Sequence, residues 1–124
     1  MAPAFKLYYD TRQKPLDLPC NRGFDRAMQL LKKMKVSFEI VDTSQLPDDE
    51  LYNAYSDACT PSVYRKFRIR QIFGSRRHSG WLFGKGVPAL LVYEGSQEYP
   101  VDVYPHEERG RIITIREYVE KLLS

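Results

Sequence analysis

Gly86-Val87-Pro88-Ala89-Leu90-Leu91-Val92-Tyr93 is the stretch that decides how this chain folds. From Val87 onward it is almost continuously apolar, the pattern of a strand buried on both faces at the centre of a sheet. Glu94-Gly95-Ser96-Gln97 follows as a turn. Tyr99 to Tyr104 (YPVDVY) then alternates apolar and polar residues, so the two runs read as a β-hairpin. Pro100 cannot donate to a ladder and predicts an edge strand or a strand start.

Toward the N-terminus, Lys6-Leu7-Tyr8-Tyr9 reads as a first strand and Thr11 to Pro19 as a loop. Phe24, Ala27, Met28, Leu31 and Met34 then recur at helical spacing and form one apolar stripe. Asn21 is the expected N-cap. Val36 to Asp42 alternates as a second strand. A right-handed crossover would set it parallel to the first. Pro47-Asp48-Asp49-Glu50 has the composition of a helix first turn, with acids near the positive dipole end. Residues 60–73 fit a helix or a basic-faced strand, and the pattern leaves both open. Toward the C-terminus, Thr114 and Glu117 form a capping box, with Ile115, Tyr118, Val119 and Leu122 behind it.

At 124 residues the chain is expected to be one domain, 1–124, with a hydrophobic fraction of 43% that supplies an ordinary core without disulfide staples. No apolar run approaches the ~18 residues of a membrane span, and the start lacks a signal-peptide pattern, so a cytoplasmic protein with reduced thiols is expected. Charge is uneven. Residues 60–86 hold Arg65, Lys66, Arg68, Arg70, Arg76, Arg77 and Lys85 and no acid, so the remainder carries −4 against a total of +3. Such a field favours an anionic ligand, an acidic partner or a nucleic-acid backbone.

The order strand, helix, strand, helical segment, strand, strand, helix predicts an α/β fold: a four-stranded mixed sheet flanked by helices on both faces. Ala27 to Asp42 (AMQLLKKMKVSFEIVD) and Gly86 to Val92 (GVPALLV) carry a closer likeness. Over most of its length, Lys6 to Leu123, the chain resembles the thioredoxin-like superfamily, and glutaredoxin-like proteins in particular. That resemblance implies a cis proline at Val87-Pro88, which would leave the Val87 N–H and C=O free to pair with an extended ligand. It also implies a nucleophilic cysteine at the start of the first helix, where free N–H groups favour thiolate. Cys20 stands near that place.

The motif departs from the family's in two ways. Its second cysteine would fall at residue 23, which is Gly23, so any disulfide chemistry would be of the monothiol type. Aligning Ala27, Leu30, Leu31 and Val36 with a glutaredoxin helix puts the first motif cysteine at Asn21 rather than Cys20. A lone cysteine at a helix start also reads as a small buried hydrophobe. Arg76, Arg77 and Lys85, just ahead of Val87-Pro88, would hold an anionic end of the ligand. The expectation is therefore a thiol-disulfide oxidoreductase with a thiol or peptide substrate and glutathione as candidate co-substrate. The alternative is a non-catalytic module of the same fold that binds an acidic protein partner or anionic ligand.

Other signals are weaker. Gly80 to Gly86 misses the phosphate-loop spacing. His78 and His106 lack the ligand spacing of a metal site. His106 beside Glu107 and Glu108 reads as a solvated turn, and Cys59 as structural. Tyr64 and Phe67 among the arginines lack any nucleic-acid-binding signature, so nucleic acid is not the expected partner.

Overall fold

The computed structural model describes residues 3–34, 37–47, 49–51, 53, 56, 84, 86–95 and 98–123. The described elements are β1 (Pro3–Tyr9), α1 (Phe24–Lys33), β2 (Ser37–Asp42), β3 (Ala89–Glu94), β4 (Asp102–Tyr104), β5 (His106–Glu108), β6 (Arg111–Ile113) and α2 (Ile115–Leu123). Short 3-10 turns span Pro19–Asn21 and Thr43–Gln45.

The main sheet has the order β2-β1-β3-β4. β1 and β2 are parallel, with Leu7 opposite Ile40. β3 runs antiparallel to β1, with Leu7 opposite Leu90, and β4 antiparallel to β3, with Val103 opposite Leu91. The expected mixed four-stranded sheet and its β3–β4 hairpin are present. β4 is shorter than Tyr99 to Tyr104, because Tyr99 and Val101 are exposed and only Asp102 to Tyr104 pair in the ladder.

Strand period two sorts the core into two layers. Phe5 and Leu7 of β1 and Leu90 and Val92 of β3 face the layer filled by Phe24, Ala27, Met28 and Leu31 of α1 and by Ile115 and Val119 of α2. The two helices lie side by side on this face. Tyr118 of α2 stacks on Tyr104 at 4.0 Å, and Tyr9 meets Phe24 edge-on at 5.6 Å. The opposite face buries Ala89, Leu91 and Val103 against Cys20, Leu51 and Val87. Residues 49–51 are helical, so Leu51 brings helical cover to this second face. Each fully buried Leu or Val contributes about 1.5–3 kcal/mol.

The cap of α1 differs from expectation. Its N-cap is Gly23 in the left-handed region, φ +76°, with no side-chain cap. Asn21 belongs to the preceding 3-10 turn and spends its amide elsewhere. At α2, Thr114 Oγ1 accepts from the Glu117 N–H at 3.1 Å, as the capping box predicts. The Glu117 carboxylate meanwhile meets Arg111 at 2.9 Å.

A second correction concerns β5 and β6. The sequence reads His106-Glu107-Glu108 as a solvated turn, yet it forms a strand paired with Arg111–Ile113. The reversal runs through Arg109 and Gly110, both at positive φ (+52° and +78°) as a tight hairpin turn requires. Among the described residues, no helix is long and apolar enough to cross a membrane.

Candidate functional site

Two loops that the sequence singles out separately meet in space. The 3-10 turn holding Cys20 lies against Val87, and both side chains belong to the second-face core with Leu51, Ala89, Leu91 and Val103. Backbone and side-chain hydrogen bonds fasten the junction. The Leu16 N–H donates to the Gly86 carbonyl at 2.8 Å. The Asn21 amide donates to that same carbonyl at 3.1 Å and to the Leu16 carbonyl at 2.7 Å.

The environment of Cys20 opposes reactivity. The residue is 1% exposed and in no disulfide. Its thiol lies 3.7 Å from Asn21 Oδ1 and donates to it. Burial pushes the thiol up to about 12, against the smaller opposing pull of its own backbone N–H. A thiolate in an apolar cluster loses its hydration, which favours the neutral thiol. Position matters too. The first residue of α1 is Phe24, so Cys20 precedes the helix by a full turn and does not sit over its free N–H groups.

The Val87-Pro88 bond is trans, contrary to the expected cis form; the cis peptide among the described residues joins Tyr104 to Pro105. The Val87 carbonyl accepts from the Gly84 N–H at 3.0 Å, and Val87 and Pro88 are both buried. Half of the expected ligand-pairing edge is therefore already engaged within the chain. Arg76, Arg77 and Lys85, with Cys59 and the 60–73 segment, lie outside the described residues.

On the solvent side of the Cys20 turn there is an open cleft of about 470 Å³, lined among others by Lys14, Leu16, Asp17, Arg22, Gly23 and Asp25. Cys20 does not line it; Leu16, Leu18 and Asn21 do, and Leu18 packs against the Cys20 cluster. The Arg116 side chain lies on Gly23, with Nε 2.9 Å from where a Cβ would stand.

A polar cluster beside this core, where Val103 and Ile112 also pack, was not legible in the sequence. His106 is 0% exposed. Its Nδ1 lies 2.5 Å from the Val103 carbonyl and 3.3 Å from Asp102 Oδ1, and its Nε2 lies 3.1 Å from Glu108 Oε1. Asp102 is itself oriented, accepting from the Val103 N–H at 2.9 Å and from the Tyr104 hydroxyl at 3.1 Å. The available signal was the Arg109-Gly110 pair, a positive-φ turn between His106 and the apolar Ile112-Ile113. Among the described residues, no three His, Cys, Asp or Glu side chains are grouped to hold a metal ion.

Comparison with protein-family models, with curated proteins and with solved structures finds no match to this chain.

Proposed function

We propose that this chain is a non-catalytic thioredoxin-like module that binds an acidic protein partner rather than exchanging disulfides. The sheet order β2-β1-β3-β4, with one parallel pair and one hairpin, supports the thioredoxin-like reading. The observation that carries the binding reading is the sealing of Cys20: 1% exposed, with a thiol held near 12 by burial. Disulfide exchange needs an accessible thiolate, and at neutral pH this site supplies neither access nor charge. The acidic character of the partner follows from residues 60–86, whose seven cations stand without a single carboxylate.

The test is a thiol measurement in the Cys59→Ser background, so that Cys20 alone reports. Alkylation by a small neutral reagent should be negligible in the native protein and rapid after denaturation. Reduction of a glutathione mixed disulfide should match the rate of a Cys20→Ala control. Native alkylation with a midpoint well below the free-cysteine value of about 8.5, with turnover lost in Cys20→Ala, would establish the monothiol oxidoreductase instead.

A further inference from the structure

His106 faces acceptors on both sides of its ring. The Val103 carbonyl at Nδ1 has no proton to give, nor does the Glu108 carboxylate at Nε2 when ionised. A neutral imidazole carries one N–H, so either tautomer turns a lone pair toward one of these oxygens. Only the imidazolium presents N–H to both. Nε2 makes no hydrogen bond with Glu108 at 3.1 Å, so that side acts as a charge pair.

The ring also joins separate pieces of the fold. His106 sits on β5 and Asp102 on β4, and Tyr104 of β4 lies against the imidazole at 4.4 Å. Through β5 the ring holds β6, where Ile113 is its partner in register. Among the described residues the β5–β6 hairpin is a separate two-stranded sheet, without a ladder to the main one. Its attachment is carried by side chains: His106 shares the task with Ile112 and Ile113, which pack on the two cores, and with Arg111, paired to Glu117 of α2.

We propose that His106 is a proton-operated latch: its imidazolium, bridging Asp102 and the Val103 carbonyl to Glu108, holds the β5–β6 hairpin closed on the end of the main sheet, and loss of the proton opens the hairpin. The facing titratable and charged groups agree with this sign. Asp102 and Tyr104 approach from β4 and Glu108 from β5 itself. Arg111 of β6 stands opposite Glu108 but is paired with Glu117 of α2. Tyr118 of α2 stacks on Tyr104 and feels the Asp102 charge, with a smaller influence from Glu94 of β3. Burial disfavours the charged ring, but Asp102, the Val103 carbonyl and Glu108 together outweigh it and raise its pKa. With the closed-state pKa raised, the latch is fully engaged below the ordinary histidine value of about 6.5 and is lost as pH rises through the closed-state value.

The experiment follows His106 protonation by NMR and, on the same full-length chain, amide hydrogen-exchange protection of residues 106–113 from about pH 5 to 9. Protection, corrected for intrinsic exchange, should fall by up to about tenfold per pH unit above the ordinary histidine range and level off at the His106 midpoint. Glu108 is exposed, so Glu108→Gln is expected to fold, and it should move both midpoints together to lower pH. His106→Gln should abolish the pH dependence. Protection that stays flat while His106 titrates, or a Glu108→Gln shift in His106 without a matching shift in hairpin exchange, would overturn the latch. So would a ring that stays neutral across the range.

Discussion

The Asn21 side-chain amide donates to the Gly86 carbonyl at 3.1 Å, across 65 residues of sequence. With its second bond, to the Leu16 carbonyl at 2.7 Å, it pins the Cys20 turn against the start of β3. Asn21→Ala leaves two carbonyls without this donor and should cost about 1–2 kcal/mol, read as a lowered urea midpoint with unchanged slope. Asn21→Asp should cost more, because a carboxylate would face both carbonyl oxygens. In either variant Cys20 should alkylate faster than in the parent.

Cys20 contributes as a small apolar side chain, and its substitutions should separate packing from chemistry. Cys20→Ala removes only a sulfur from the cluster around Leu51, Val87 and Leu91 and should cost about 1 kcal/mol. Cys20→Ser places a hydroxyl in the same apolar setting and should cost about 1–3 kcal/mol, despite being the closer isostere. Equilibrium denaturation of the two variants checks the order. A reactive-site cysteine would show no such preference for alanine.

Three glycines give a graded test of backbone and space. All sit at positive φ, where a Cβ is strained. At Gly110 nothing lies within 4 Å, so Gly110→Ala carries the conformational cost alone, about 1–2 kcal/mol. At Gly84 a Cβ would stand 2.7 Å from Thr43 Cγ2 and 3.2 Å from Tyr8 Cβ, in a buried turn whose carbonyl accepts from Thr43 Oγ1. At Gly23 it would collide with Arg116. Melting temperatures should therefore fall least for Gly110→Ala and most for Gly84→Ala. Gly23→Ala should lie between them, since the Arg116 side chain is long enough to move aside.

Acid should weaken the fold partly through Asp42. Hydrogen bonds from the Thr11 hydroxyl at 2.7 Å and the Ser44 N–H at 3.0 Å hold its carboxyl well below the usual carboxylate range. A folded-state pKa lowered in this way stabilises the fold fully above the unfolded value of about 3.9, and that stabilisation is lost as pH falls through the lower folded value. Asp42→Asn should be less stable than the parent at neutral pH. The gap should narrow in acid, when urea midpoints are compared between about pH 2 and 7. A gap that stays constant would assign the effect to shape rather than charge.

The elements that read correctly are those whose burial follows a simple period. α1 carries a clean stripe from Phe24 to Leu31, and β3 is apolar from Ala89 to Val92 because both of its faces are covered there; β2 alternates in sequence although its burial does not. Asn21 departs from the expected N-cap for a local reason: asparagine suits that position, but its amide has two carbonyl partners in neighbouring loops. β5 was missed because its residues are polar, and a polar run reads as turn unless its partners are visible. The three oxygens around His106 come from residues 102, 103 and 108, and no periodicity marks them as its ligands.

Val87-Pro88 shows where the division falls. The sequence by itself determined that this stretch leads into the central strand, since an apolar run of that length has no stable place at a surface. It also determined that Cys20 stands ahead of the first helix. Only the tertiary structure decided that the proline is trans, that the Val87 carbonyl is taken by Gly84, and that Cys20 is closed off from water. The reason is physical. A thiol's state is set by the groups around it, and those around Cys20 come from positions 51, 87, 89, 91 and 103, which only the folded chain brings together.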